Sequence, residues 1–75
     1  MFREYLKKLR EEQHMSMQSA ADRIGISRQY YQQIEAGERQ KKMDITLVTA
    51  LSNLFGITAE QIIRYENQNI KTEEI

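Results

Sequence analysis

The 75-residue chain has no cysteine, no proline and no tryptophan, and only three glycines. Without cysteine, neither a disulfide framework nor a thiolate metal site can support the fold. So few turn-forming residues suit short connections between helices better than the many turns of an all-β fold. Long apolar runs are missing as well, and no stretch has the length needed to span a bilayer. The start, Met1-Phe2-Arg3-Glu4-Tyr5-Leu6-Lys7-Lys8, lacks the apolar block of a signal peptide, so a soluble cytoplasmic protein is expected. Chemistry-bearing clusters are equally scarce. The single His14 has no thiol neighbour and no ligand cluster beyond the adjacent Glu11 and Glu12, and there is neither a glycine-rich phosphate loop nor a Ser/His/Asp arrangement. No enzyme activity, metal or cofactor is expected. The length leaves room for one domain with one small core.

Net charge is also absent: 11 basic residues offset 11 acidic ones. The distribution is uneven, however. Between Arg23 and Lys42 the bases Arg23, Arg28, Arg39, Lys41 and Lys42 meet only Glu35 and Glu38, while Glu60, Glu66, Glu73 and Glu74 make the end acidic. A neutral total can hide one basic face.

What is present is helical periodicity. Phe2, Tyr5, Leu6 and Leu9 fall at i, i+3, i+4 and i+7, with Arg3, Lys7, Lys8, Glu11 and Glu12 on the opposite side. Arg10 borders the apolar stripe and could turn inward given a partner. The helix should fade at Gln13-His14, with Met15 packing beneath the turn. Ser16 suits an N-cap for a short second helix through Ala20, Ala21 and Ile24, ended by Gly25. Ile26 follows as a core plug. Ser27 caps a third helix with Tyr31 and Ile34 inward, Tyr30 flanking and Gly37 at its end. A polar, basic loop from Glu38 to Met43 leads to Asp44, the cap of a fourth helix carrying Leu47, Val48, Leu51, Leu54 and Phe55. Gly56 and Ile57 close it. Thr58-Ala59-Glu60-Gln61 matches a capping box and opens a fifth helix that buries Ile62 and either Ile63 or Tyr65. Residues 67–75 lack a sustained period and read as a frayed polar tail or linker after a domain of residues 1–66.

The corner between the second and third helices holds the most specific pattern. Two helices meeting steeply need a small residue where they touch, one tolerating a left-handed backbone at the turn, and an apolar residue just after it. Ala21, Gly25 and Ile26 supply these in order. Arg28, Gln29, Gln32 and Gln33 then share one broad helical face. Arginine bonds guanine edges and glutamine adenine edges in bidentate fashion, so this face is chemically suited to reading a major groove.

Here the sequence resembles the Cro/phage-repressor family of helix-turn-helix domains, also called the XRE family. The likeness runs from about Leu6 to Ile63. It rests on Leu6-x-x-Leu9-Arg10, Ser16 to Gly25, Ile26-Ser27-Arg28, Ile34-Glu35-Ala36-Gly37, Leu47-x-x-x-Leu51 and Leu54-Phe55-Gly56-Ile57. The resemblance implies an all-α, compact five-helix lambda-repressor-like domain whose second and third helices bind DNA. It places Arg28, Gln29 and Gln33 at base edges, with Gln32 a lesser candidate. Ser27, Arg39, Lys41 and Lys42 then suit phosphate contacts. Tyr30 has two readings, a prop for the helix or a phosphate and thymine contact. Arg10 and Glu35 correspond to an ion pair joining the first helix to the end of the third.

Three positions depart from the family pattern: Met17 replaces a polar phosphate donor, Tyr31 a β-branched aliphatic residue, and Ala20 a leucine. The function implied is a sequence-specific, double-stranded-DNA-binding transcriptional repressor of bacterial or phage type. A two-fold homodimer on a palindromic operator, formed through Ile62, Ile63 or Tyr65 either in solution or only once on DNA, is the matching assembly. The alternative is a protein-interaction module of the same fold, antitoxin-like or an adaptor, with little DNA binding of its own.

Overall fold

The computed structural model describes the backbone of residues 2–74 and the side chains of residues 2–68. Five helices follow one another among the described residues: α1 (Glu4–Glu12), α2 (Met17–Ile24), α3 (Arg28–Glu35), α4 (Ile45–Phe55) and α5 (Ala59–Glu74). No strand occurs among the described residues. None of these helices is long and apolar enough by itself to cross a membrane.

Local chemistry sets most of the boundaries. The Ser16, Ser27 and Asp44 side chains accept from the backbone N–H of Ser19, Tyr30 and Leu47, satisfying donors that an α-helix leaves open at its start. Thr58 does the same for Gln61 at the head of α5. Gly25 and Gly56 end α2 and α4 in the left-handed region, with φ of 76° and 67°. At the first of these the Ile26 N–H reaches back to the Ala21 carbonyl at 3.0 Å, so a six-to-one bond closes the corner.

Leu6, Met15, Ala20, Ala21, Tyr31, Ile34, Leu47, Val48, Leu51, Phe55 and Ile62 form the buried core. Helix α2 packs on α3 and α4, α5 on α4, and α1 on α3. Ala20 and Tyr31 are both fully enclosed, so the small and the large departure from the family pattern share one interior. Met17 is half-buried and packs against that core.

The structure corrects the sequence reading at three places. Phe2 is 49% exposed, and Arg3, expected on the solvent side, is fully buried. Helix α1 begins only at Glu4, so the two preceding residues escape its phase and the inward one is Arg3. The third correction concerns residues 67–74, whose backbone continues α5 instead of fraying. That segment contains no glycine or proline to stop the helix, and its Gln, Lys and Glu residues favour one.

Candidate nucleic-acid interface

Helix α3 is short, eight residues, and about 12 Å long at 1.5 Å per residue. One side, Tyr31, Ile34 and Glu35, is buried. The opposite side presents Arg28, Gln29 and Gln32 to solvent, with Gln33 half-buried beside them. Ser27 stands exposed at the N-terminus. Its oxygen accepts the capping bond from Tyr30 at 3.0 Å, which leaves the hydroxyl proton free to donate outward.

Glu35 would place an acidic group beneath this face, but its carboxylate is turned inward and engaged. Arg10 donates from Nε to Oε2 at 3.0 Å and from Nη2 to Oε1 at 3.1 Å, while Nη1 donates to the Met15 carbonyl at 3.0 Å. The fork geometry uses the planar guanidinium fully. The bond to Glu35 holds the Arg10 pKa above its ordinary value. The Tyr31 hydroxyl lies against this pair yet makes no hydrogen bond of good geometry to either member. Burial, followed by the nearby carboxylate, raises its pKa.

The chain leaves α3 through Gly37, at φ 77°, into a loop that carries exposed Arg39, Lys41 and Lys42. Arg39 Nε donates to Gln33 Oε1 at 3.3 Å, so a loop cation touches the polar face of α3. Gln40 is the hub of this loop. Its Nε2 donates to the Tyr30 hydroxyl at 2.9 Å and to Asp44 Oδ2 at 3.1 Å, and its Oε1 accepts from the Asp44 N–H at 3.0 Å. The Tyr30 ring packs against the core while its hydroxyl oxygen accepts from Gln40, leaving the proton to point elsewhere. Hydrogen bonds from the Leu47 backbone and the Gln40 side chain hold Asp44 below its ordinary carboxyl pKa.

Sequence reasoning missed the residue that anchors the loop from below. Arg3 Nε and Nη2 donate to Glu66 at 2.8 and 3.0 Å, and Nη1 donates to the carbonyls of Ile34 and Arg39 at 2.7 and 3.1 Å. Nη2 also donates to the Gln40 carbonyl. Glu66 accepts a further bond from the Tyr5 hydroxyl, and the Tyr5 ring stacks on Tyr65 with centroids 5.0 Å apart. No local pattern announces this cluster, since Arg3 and Glu66 stand 63 positions apart. Gln40 was more accessible to reasoning: it lies four residues before the cap Asp44, the reach of a helical or turn pairing.

On the expected dimer surface, Ile63 is 49% exposed, Tyr65 is half-buried against Tyr5, and Ile62 is fully buried. Ile62 therefore belongs to the monomer core and has no surface to offer a partner.

Comparison with known proteins agrees with this architecture. A family model described as helix-turn-helix matches residues 6–62. The SPbeta prophage-derived uncharacterized HTH-type transcriptional regulator YonR of Bacillus subtilis (strain 168) is 35% identical over 75 residues, covering 100% of this chain and 68% of that protein. The uncharacterized HTH-type transcriptional regulator YqaE of the same organism is 31% identical over 75 residues, covering 99% of this chain and 63% of its own length. The chain thus spans about two thirds of the curated relatives it matches. No solved structure matches it significantly. The match to the family over most of the chain, on a fold whose α2–α3 corner and exposed polar α3 are those of a helix-turn-helix, means that this chain belongs to the XRE-type helix-turn-helix family.

Proposed function

We propose that this domain is a sequence-specific DNA-binding transcription regulator that lays α3 in the major groove. One observation carries the reading. Arg28, Gln29 and Gln32 stand free on a helix whose other side is locked into the core, and a loop bearing Arg39, Lys41 and Lys42 emerges from its end. A major groove about 12 Å wide admits such a helix. Arg28, Gln29 and Gln33 read base edges, with Gln32 at the margin. Ser27 and Tyr30, each with a hydroxyl proton to spare, join the three loop cations on phosphates. Arg10 neutralises Glu35 next to the polyanion, which is its contribution to binding.

The DNA-binding unit is assigned to residues 1–66, with 67–75 as a C-terminal extension. The protein acts in the cytoplasm as a repressor, by occluding its site, and as a homodimer on a palindromic operator with half-sites about 34 Å apart. Ile63 and Tyr65, not Ile62, supply the dimer surface. Names of both relatives as transcriptional regulators support the regulatory role.

A protein-interaction module is the second reading, favoured by the packing of Met17 against the core at a position where the family resemblance implies a phosphate donor. Selection of duplexes from a random pool at two salt concentrations separates the two. A symmetric consensus with affinity falling steeply as salt rises supports DNA reading. Failure to retain any duplex at low salt removes it.

A further inference from the structure

The loop that carries Lys41 and Lys42 is held through the side chain of its own Gln40 and, from outside the loop, by Arg3. Its backbone carbonyls at Arg39 and Gln40 point at Arg3, whose guanidinium is fully enclosed and grips Glu66 on α5 as well. A third carbonyl, Ile34 in the last turn of α3, takes the same Nη1. The positive charge thus sits where the α3 dipole is negative. Gln40 adopts φ 57°, a conformation that L-residues rarely hold without support, and its side chain relays the loop to Tyr30 and Asp44.

Resting on the reading of α3 and its loop as the DNA face, we propose that Arg3 is a positioning residue for phosphate binding. It couples α5 to the loop, so that the placement of Glu66 decides whether Lys41 and Lys42 face the duplex.

The chemistry requires arginine. Five bonds run to four acceptor groups, and only a guanidinium carries enough donors, fixed in one fork, to serve them together. A lysine at the same place keeps the charge and reaches Glu66 or a carbonyl, but not both sets. Tyr5 shares the Glu66 carboxylate and stacks on Tyr65, so a rigid aromatic contact between α1 and α5 braces the direct bond from Arg3 to Glu66. Any event that displaces α5, such as a second subunit packing on Ile63, is transmitted to the loop carbonyls through one side chain.

The test uses Arg3→Lys and, as a milder change, Glu66→Gln, with duplex binding measured where both variants are fully folded. Amide hydrogen exchange at residues 39–43 should quicken roughly tenfold in Arg3→Lys, the effect of losing one or two charged hydrogen bonds, with α2 and α4 amides little changed. The slope of log affinity against log salt should flatten by about 0.9 for each phosphate that the loop no longer neutralises, while the selected consensus stays the same. Glu66→Gln should move both readouts in the same direction by less. Uniformly faster exchange throughout the fold would show a general staple and overturn the proposal. So would quicker loop exchange with an unchanged salt slope and affinity. If the unaltered protein retains no duplex at low salt, the assignment of the DNA face fails and takes phosphate positioning with it; the exchange data then report separately whether Arg3 orders the loop.

Discussion

Two buried arginines each grip a glutamate, Arg10 with Glu35 and Arg3 with Glu66, yet the pairs do different work. The first joins α1 to α3 across 25 positions, and apart from one carbonyl its bonds are spent on the carboxylate. The second spends three of its five bonds on main-chain carbonyls at the exit of α3 and two on α5. Removing a carboxylate partner leaves Arg10 with one acceptor but leaves Arg3 with three. An ion pair can therefore fix a helix or fix a backbone path, and the number of carbonyl acceptors tells which.

The largest expected effect comes from breaking the first pair. Glu35→Ala should cost about 3–5 kcal/mol in urea unfolding, because a buried guanidinium loses its counter-charge. The double variant Arg10→Met with Glu35→Leu should recover most of it. A cost for the double variant as large as for Glu35→Ala would mean that the pair itself, not the orphaned charge, sets stability. Glu66→Ala should cost less, about 1.5–3 kcal/mol, since three carbonyls still receive Arg3. Equal losses at Glu35 and Glu66 would erase the distinction between the pairs.

Both pairs are buried, whereas Arg28 stands exposed on α3. Arg28→Ala should leave stability unchanged while relaxing base preference at one position by about 1–3 kcal/mol in competitive duplex titration. Lys41→Ala should weaken all sequences alike. A uniform loss for Arg28→Ala would reassign it to a phosphate.

The smallest effect belongs to Tyr31, whose hydroxyl is buried against the first pair without a hydrogen bond. Tyr31→Phe should raise stability by about 1 kcal/mol, because no bonded partner goes with the oxygen. Burial raises the pKa of Tyr31 and, with help from Glu66, of Tyr5. The folded state therefore keeps protons that the unfolded chain releases near its ordinary tyrosine pKa of about 10. The contribution is complete below that pH and is lost as pH rises above it. Denaturation midpoints should fall above about pH 10, less steeply in Tyr31→Phe.

The helix caps and most of the core were legible because they are local: Ser16, Ser27 and Asp44 each act within three residues of themselves. Tyr31 and Ile34 follow from period alone. Arg10 with Glu35 came only through family resemblance, and Arg3 with Glu66 through neither route. Its geometry depends on where α1 starts relative to α5, a tertiary fact with no trace in nearby residues. The site follows the same division. The outward face of α3 was readable from residue types and spacing, whereas the support beneath its loop was not.

The two glycine corners differ from the crowded turns often found between close-packed helices. A Cβ built at Gly25 or Gly56 meets nothing within 4 Å, so only the positive φ demands glycine there. The consequence is evolutionary latitude. Asparagine, which enters the left-handed region at modest cost, is an available neighbour in sequence space at both corners, while β-branched residues are closed off by backbone alone. The turn that aims α3 can therefore drift in sequence without drifting in shape.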